Sequence, residues 1–388
     1  MITRRTSIRT LGAAPLAWMA AHAARTGYRG RTQAIHDRID ALIAANEVPG
    51  AVTVIVTPGS VEHLHAQGFA DAARTVPMKK DAVFAIASMS KPVTGAAIMM
   101  LRDEGKLRVE DPVAKYLPEF SKLKLTDGRP AQVTLKHLMT HTSGMGEATP
   151  QEAEKVTELP GMIPVYLSKP VAFEPGSQWK YCQSGINTLG RIVEVASGMP
   201  FADFLDKRLF QPLGMKNTSF YLSPKMAPKL VKACKRDGGK LVDANSPRLD
   251  PKYLARRDRP AFGNGGLLST AEDYSRFARM LLSNGEWKGK RLLSADSVKQ
   301  MTSPHTGDLK AGFVPGSVWG LTCGLVREST GITALLSPGT YGHGGAFGTQ
   351  AWMDPVKGVG LILMIQRTDL GNSDASVVRQ AFQEAALG

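Results

Sequence analysis

The amino-acid sequence predicts a fold of the α/β plus α class, with one antiparallel sheet built from both chain ends and flanked by helices. Near the N-terminus, the run Ala51–Thr57 is apolar and rich in β-branched residues, which is typical of a buried strand. Near the C-terminus, Thr349–Asp354 and Gly358–Gln366 are two further strand-like runs separated by a turn that contains Pro355. The long middle of the chain instead shows apolar residues at helical spacing, interrupted by loops rich in proline and glycine.

These observations divide the chain into two parts that we expect to interlock. The α/β part comprises about residues 25–87 and 301–388, and the inserted, mainly helical part comprises about residues 88–300. No internal repeat, low-complexity segment or long linker separates them, so residues 25–388 are predicted to form one domain. The cleft where the two parts meet is the expected place for a functional site.

The remaining elements of the α/β part follow from local signals. Thr32–Asn46 carries apolar residues at helical spacing and is followed by Gly50, which predicts an N-terminal helix. Pro58-Gly59 ends the first strand, and His63–Phe69 is expected to return as its hairpin partner. Ser376–Ala386 has the spacing of a last amphipathic helix.

Composition excludes several classes of function. The 388 residues carry a formal charge of +14, but the basic residues form neither a recognition helix nor a ribbon with interleaved aromatics, so we expect no nucleic-acid partner. No run reaches the roughly 18 apolar residues of a spanning helix, so we expect no integral membrane span. Cys182, Cys234 and Cys323 are odd in number and widely spaced, which favours buried free thiols over a disulfide framework or a metal site.

Residues 1–24 have the pattern of an export signal. Arg4 and Arg5 form a pair, the mostly apolar run Leu11–Ala21 follows, and Ala21-His22-Ala23 supplies small residues at a cleavage position. The pair resembles a twin-arginine signal, although Ser7 stands where phenylalanine is usual. We therefore expect an exported protein, periplasmic or secreted; the alternative is an amphipathic leader with chance arginines.

A candidate nucleophile lies at the start of the helical part. The pattern S-x-x-K occurs three times, at Ser88–Lys91, Ser121–Lys124 and Ser177–Lys180. Only Ser88 is followed by a helical pattern, which Gly105 is expected to end. Context therefore favours Ser88 over the other two serines.

The spacing of Ser88 and Lys91 suits catalysis by a serine. Residues i and i+3 share a helix face, so the Lys91 amine can reach the Ser88 hydroxyl. Burial disfavours the ammonium form, and a neutral Lys91 could accept the serine proton. The alternative is an N-capping serine followed by a surface lysine, and Ser90 is the nearest rival for the nucleophile.

Two further segments could complete such a site. Tyr181 precedes a helical pattern that ends at Gly198; near a lysine ammonium its phenol is expected to have a lowered pKa and to shuttle a proton to the leaving group. His343-Gly344-Gly345-Ala346 precedes a strand, and an edge strand here could offer the Ala346 N–H, which with the Ser88 N–H would form an oxyanion hole. The alternatives are a structural tyrosine and a flexible glycine hairpin. No G-x-S-x-G elbow supports a triad built on His343.

Together these segments resemble the serine β-lactamase/penicillin-binding-protein superfamily, in its class C-like branch and closest to family VIII carboxylesterases. The resemblance covers about residues 32 to 386. The segments that carry it are Ser88–Lys91, Asp111–Pro118, Thr134–Met145, Phe173–Gly198, Gly265–Tyr274, Gly342–Gly345 and the Asp354-Pro355 turn.

The resemblance implies roles for individual residues. Ser88 is the implied nucleophile, Lys91 the base and Tyr181 the acid/base, and no metal or cofactor is required. His343-Gly344-Gly345 stands where many relatives have Lys-Thr-Gly, and Gln183 stands where the family's Y-x-N triplet has asparagine. Both departures weaken the case for antibiotic hydrolysis, since Gly344 lacks a hydroxyl and His343 is not a permanent cation.

The expected function is therefore a carboxylesterase that forms an acyl-enzyme on Ser88 with a small-molecule ester or amide as substrate. A β-lactamase or D-amino-acid peptidase acting on cell-wall fragments is the alternative within the same chemistry. An acyltransferase and a non-catalytic penicillin-binding-like protein are less favoured, the latter because Ser88, Lys91 and Tyr181 are all present.

Overall fold

The strands of the protein were located in a computed structural model that describes residues 31–388, so the predicted export signal lies outside the described residues. In chain order they are β1 (Gly50–Val56), β2 (Val61–Gly68), β3 (Val83–Ala85), β4 (Cys234–Asp237), β5 (Lys240–Asp243), β6 (Leu268–Thr270), β7 (Glu286–Trp287), β8 (Lys290–Arg291), β9 (Ser317–Trp319), β10 (Gly324–Val326), β11 (Tyr341–Gly344), β12 (Gln350–Asp354) and β13 (Val359–Met364).

One antiparallel sheet forms the central layer of the fold. Across residues 31–388 it contains seven strands in the order β2-β1-β13-β12-β11-β10-β9. The first and last parts of the chain meet where β1 pairs with β13, with Val54 opposite Ile362. The prediction of a sheet built from both chain ends is therefore confirmed.

The helices lie on both sides of this sheet and in the insertion. In chain order they are α1 (Thr32–Ala44), α2 (Ser90–Asp103), α3 (Leu135–Met139), α4 (Pro150–Glu154), α5 (Leu159–Leu167), α6 (Gln183–Ser197), α7 (Phe201–Leu205), α8 (Gln211–Leu213), α9 (Pro251–Ala255), α10 (Ala271–Leu282), α11 (Ala295–Met301) and α12 (Val377–Leu387).

Strand β1 is buried along its whole length because both faces of the sheet are covered. On one face, α1 and α12 pack together and bury Ile35, Ile39 and Phe382 against the sheet. On the other face, α10 packs against β1 and β13, and the larger core continues from there into the helical insertion. A strand covered on both faces reads as a continuous apolar run rather than an alternating one.

The predicted boundaries of several elements shift by one or two residues. Helix α1 ends at Ala44 rather than Asn46, because Asn46 has a φ of 56° and cannot continue a right-handed helix. Gly105 follows the end of α2 with a φ of 71°, as expected of a helix-ending glycine.

The expectation that an edge strand near His343 offers the Ala346 N–H is wrong in one respect, because neither strand beside that residue is an edge strand. Strand β11 is an inner strand, because β9 and β10 lie beyond it on one side and β12 lies on the other. However, β10 pairs only with Tyr341 and Gly342, so the end of β11 that holds His343 and Gly344 has no ladder partner on that side.

The cysteines and the helix lengths can be compared with the expectations drawn from composition. Cys182, Cys234 and Cys323 are free and buried, as expected for structural thiols. Among the helices of residues 31–388, none combines the length and apolar character needed to cross a membrane.

Candidate active site

Ser88 lies on a tight turn between the small β3–β6 pair and helix α2. The turn is a single 3₁₀ turn, Ala87–Met89, and Ser88 is its one partly exposed residue between two buried neighbours. Ala87 has a φ of 45°, a backbone conformation that costs energy for any residue with a side chain. This strained turn leaves Ser88 partly exposed, whereas the chain before and after it is buried in the core.

The competing serines lie in different surroundings. Ser90 is fully buried; its hydroxyl donates to the Ala87 carbonyl and accepts from the Leu267 N–H, so it acts as a structural hydrogen-bonding group. Ser121 and Ser177, which begin the other two S-x-x-K matches, are exposed and donate to carbonyls three residues earlier. The helical context that favoured Ser88 therefore separates it from the other candidates in the structure as well.

Lys91 is fully buried on the first turn of α2. Its Nζ lies 3.0 Å from Ser88 Oγ and donates to the carbonyl oxygen of Asn264 at 2.6 Å. Asn264 is itself fixed, because its N–H donates to the buried Asn187 side chain. Burial lowers the pKa of Lys91 well below 10.5, and the Glu147 carboxylate only partly opposes this. The direction agrees with the expected neutral amine, which could accept the Ser88 proton.

Tyr181 lies beside both of these residues, but its predicted pKa shift is wrong. The Lys91 Nζ is 4.6 Å from the centre of its ring, and its hydroxyl is 3.3 Å from His343 Nε2. Burial raises the pKa of Tyr181, and a hydrogen bond with the Ser88 side chain opposes this only in part. The expected lowering required a lysine ammonium nearby, whereas the buried Lys91 favours its neutral form. Tyr181 is therefore poised to hold and donate its proton.

The hydrogen bonds of His343 define its tautomer. Its Nδ1 is 2.6 Å from the Gly344 carbonyl oxygen, which can only accept, so Nδ1 carries the hydrogen. Nε2 is then the acceptor for the Tyr181 hydroxyl. Burial, with Lys91 nearby, lowers the pKa of His343 to about 3. His343 is thus neutral at physiological pH and orients the phenol rather than supplying a positive charge.

The turn that follows β11 is tied to the segment that carries Ser88. The Gly345 N–H donates to the Thr349 carbonyl at 2.7 Å, and the Thr349 hydroxyl donates to the Ile86 carbonyl at 3.1 Å. This second bond ties the turn to the segment that carries Ser88. Within residues 31–388, neither the Ser88 N–H nor the Ala346 N–H has a hydrogen-bond partner. An oxyanion hole formed by these two N–H groups, which would have to point at one oxygen, stays a prediction.

Gln183, which stands at the asparagine position of the triplet, begins a helix beside Tyr181. It is the first residue of α6, and its backbone N–H donates to Glu147. Its side-chain Oε1 is buried and lacks a hydrogen-bond partner among residues 31–388. The amide oxygen is therefore available, and within the described chain no hydrogen bond joins it to Lys91.

Tyr181 is surrounded by an aromatic wall that could not be predicted from the sequence. We use this name for His141, Trp179, Phe313 and Trp319, whose rings contact that of Tyr181 or one another. The ring centroid of Tyr181 is 4.8 Å from that of Phe313 and 4.4 Å from that of His141. These residues come from three separate parts of the chain, around positions 141, 179 and 313–319, so no local pattern could have assembled them.

Known proteins share both the sequence and the fold of this chain. The family model described as Beta-lactamase matches residues 35–386. Protein Rv1367c of Mycobacterium tuberculosis is 33% identical over 369 residues, which cover 86% of this chain and 90% of that protein. Esterase EstB of Burkholderia gladioli is 27% identical over 353 residues, covering 84% and 88%.

A solved structure gives the same result for the fold. The structure of EstCE1, described as a hydrolase with promiscuous acyltransferase activity, superimposes with a TM-score of 0.80 and 21% identity. The match covers 94% of this chain and 100% of that one. The resemblance predicted from the motifs is thus confirmed over nearly the whole described chain. The protein belongs to the Beta-lactamase family and has its β-lactamase/transpeptidase-like fold.

Proposed function

We propose that this protein is a carboxylesterase that cleaves small esters through an acyl-enzyme on Ser88. The observation that carries the proposal is the fully buried Lys91 amine, 3.0 Å from the hydroxyl of a partly exposed serine. A buried amine with a lowered pKa is a base at neutral pH, which an exposed lysine is not.

Acylation follows from the hydrogen bonds of the site. Lys91 takes the Ser88 proton while Oγ attacks the ester carbonyl, and the N–H groups of Ser88 and Ala346 stabilise the oxyanion. When the tetrahedral intermediate collapses, the C–O bond to the leaving group breaks and Tyr181 gives its proton to the departing alkoxide. The Lys91 ammonium then returns a proton to Tyr181, and the alcohol leaves.

Deacylation repeats these steps with water in place of the alcohol. The regenerated Lys91 amine takes a proton from a water molecule. The oxygen of that water attacks the carbonyl carbon of the acyl group on Ser88. The same two N–H groups stabilise the second oxyanion, and the proton returns to Ser88 Oγ as the carboxylic acid is released. Over the full cycle, the proton that leaves with the alcohol is replaced by one from water, and Ser88, Lys91 and Tyr181 return to their starting forms.

The choice of an ester over a β-lactam rests on the strand that holds His343. With a pKa of about 3, His343 offers no positive charge to the carboxylate that β-lactams carry. Gly344 offers no hydroxyl. The name of the relative EstB agrees with ester hydrolysis.

The experiment that tests this function compares two substrates. The purified protein is incubated with p-nitrophenyl butyrate and with nitrocefin, and both reactions are followed by absorbance beside a Ser88→Ala control. We expect Ser88-dependent release from the ester and little from nitrocefin. Efficient nitrocefin turnover would instead assign a β-lactamase or a cell-wall peptidase.

Replacing Tyr181 with phenylalanine should lower kcat for esters with poor leaving groups by about 10²–10⁴, the range for a lost general acid. The aromatic ring and its packing are retained, so the fold should be unaffected. Esters with a p-nitrophenolate leaving group need little protonation and should be affected less. Equal losses for alkyl and p-nitrophenyl esters would argue that Tyr181 only positions other groups.

We also propose that the protein is exported through its paired arginines. A reporter enzyme that is active only outside the cytoplasm should be active when it is fused to residues 1–24. Substituting Arg4 and Arg5 with lysine should abolish this reporter activity. A reporter that remains cytoplasmic with the native arginines would refute this location.

A further inference from the structure

Glu147 binds the beginning of the helix that follows Tyr181. Its carboxylate accepts hydrogen bonds from the backbone N–H groups of Gln183 and Ser184, the latter at 3.0 Å. These are the first two residues of α6, and N–H groups at this end of a helix have no partner within the helix. A carboxylate here also interacts favourably with the helix dipole. Glu147 therefore fixes the start of α6, close to Tyr181 in the chain.

His141 holds the residues on either side of Tyr181. Its carbonyl oxygen accepts from the Lys180 N–H at 2.9 Å, and its Nδ1 accepts from the Cys182 N–H at 3.1 Å. His141 is fully buried, and the centroid of its ring lies 4.4 Å from that of Tyr181. Residues 141–147 thus form a frame that holds the backbone around Tyr181, and Glu147 is the exposed end of this frame.

The charge of Glu147 also acts on Lys91. Burial lowers the pKa of Lys91, and the Glu147 carboxylate opposes this by favouring the ammonium form. The other ionisable side chains close to Lys91 are His141, Tyr181, Cys182 and His343. Burial shifts the pKa of each of these four toward its neutral form. Because an exposed carboxylate is ionised at neutral pH, Glu147 supplies the charge that Lys91 experiences.

The surroundings of Glu147 leave this charge uncompensated by the nearest lysine. Lys169, whose side chain lies against Gly146, is paired with Glu152 at 2.8 Å instead. Tyr166 of α5 is buried, and burial raises its pKa, so its phenol is neutral. The Glu147 carboxylate therefore keeps its negative charge beside the site.

We propose that Glu147 is a positioning residue that holds Tyr181 beside Lys91 and sets the lower limit of the pH range in which the enzyme works. It acts through the backbone of α6 on Tyr181 and through its charge on Lys91. It rests on the proposed esterase function as a further residue of the same site.

Three substitutions separate the hydrogen bonds of Glu147 from its charge. Glu147→Gln keeps an oxygen that can accept from the α6 N–H groups but has no charge, whereas Glu147→Ala has neither. Glu147→Asp keeps the charge on a shorter side chain that cannot reach as far. Because Glu147 is exposed, we expect all three to fold, and thermal unfolding checks this.

The hydrogen bonds are tested with two butyrate esters at pH 8. We expect Glu147→Ala to lower kcat for ethyl butyrate by about tenfold or more, because a small displacement of Tyr181 weakens protonation of the leaving group. The loss for p-nitrophenyl butyrate should be smaller, since its leaving group needs little protonation. Glu147→Gln should retain most of the activity on ethyl butyrate. If Glu147→Ala does not fold, Glu147→Asp should show the selective loss. Equal losses on the two esters would overturn the positioning role.

The charge is tested through the pH dependence of kcat/KM for p-nitrophenyl butyrate, which reports the free enzyme's base. A negative charge favours the Lys91 ammonium, so without it the amine stays neutral to lower pH. The acid limb should therefore move to lower pH in Glu147→Gln but not in Glu147→Asp. On this limb, relative to each protein's plateau, Glu147→Gln should be about twofold or more faster than the native protein. Adding 1 M NaCl should reduce the difference, because salt screens an exposed charge.

A matched control and a labelling measurement complete the test. Glu158→Gln alters another exposed acid, which precedes α5 and makes no side-chain hydrogen bond to it, and should leave both readouts unchanged. A fluorophosphonate labels an active-site serine without ester hydrolysis. The bond from Ser88 Oγ to phosphorus forms, Lys91 takes the proton and fluoride leaves. The rate is followed by intact-protein mass spectrometry at several pH values.

Labelling keeps this inference distinct from the proposed function. If no ester is hydrolysed, the esterase proposal fails, but a labelling rate whose acid limb moves to lower pH in Glu147→Gln would still support the role of Glu147. Acid limbs that coincide in the native protein and Glu147→Gln would overturn it.

Discussion

Replacing Ser88 with alanine is expected to reduce ester hydrolysis by about 10⁴-fold or more, because the covalent route is lost entirely. The substitution removes a partly exposed hydroxyl and its contact with Lys91, and it leaves the buried side chains of the turn unchanged. The fold should therefore persist with a similar denaturation midpoint. Turnover of p-nitrophenyl butyrate and thermal unfolding are measured on the same preparation.

The sequence offers a matched control for this substitution. Ser121 also begins an S-x-x-K match, but it is exposed and donates only to the Pro118 carbonyl. Ser121→Ala should hydrolyse the ester at the native rate. Mass spectrometry of the quenched reaction should find one butyryl group on the native protein and none on Ser88→Ala. Retained hydrolysis in Ser88→Ala would refute the acyl-enzyme mechanism.

The sheet and the nucleophilic turn could be predicted because their signals are local. The run in β1 is continuous and β-branched, and Ser88 is the S-x-x-K serine that a helix follows. Both features depend on residues adjacent in the chain, where periodicity and turn residues are informative. A sheet shared by both chain ends followed from their strand-like runs, and the structure adds that β1 pairs with β13.

The parts of the site that could not be predicted depend on burial. The pKa of Tyr181 rises because the phenol and Lys91 are removed from water together, a consequence of packing that the sequence does not display. Likewise, β11 is an inner strand because the short strands β9 and β10, three residues each, lie outside it. Strands this short carry too few residues for a periodic signal.

The side chain that occupies the space beside Gly344 could not be predicted from the sequence either. Asp374 is 30 positions further along the chain than the glycine it contacts, and sequence reasoning registered only the missing threonine hydroxyl. The structure shows that the position is occupied by a carboxylate from another element. A departure from a family motif can thus mark a replacement from elsewhere in the fold rather than a loss.

Replacing Lys91 with methionine is expected to lower ester turnover by at least about 10³-fold and, unlike most core substitutions, to maintain or increase stability at pH 7. Methionine has a similar length but no amine, so Ser88 loses its base and raising the pH cannot restore activity. Burying the Lys91 amine in its neutral form lowers the free energy of unfolding of the native protein, and methionine removes this penalty. The Asn264 carbonyl loses its donor, which offsets part of the gain.

The pH dependence of stability distinguishes this cause from simple repacking. The pKa of Lys91 is lower in the folded protein than its ordinary 10.5, so between the lowered pKa and 10.5 the unfolded chain binds a proton that the folded one does not. The native protein therefore gains stability as pH rises toward 10.5, and this gain is absent in Lys91→Met. Urea denaturation at pH 7 and pH 9.5 measures the difference, with the exposed Lys180→Met as the control. A native protein and Lys91→Met that respond equally to pH would show that Lys91 is charged in the folded state, and the proposed base would then have to be sought elsewhere.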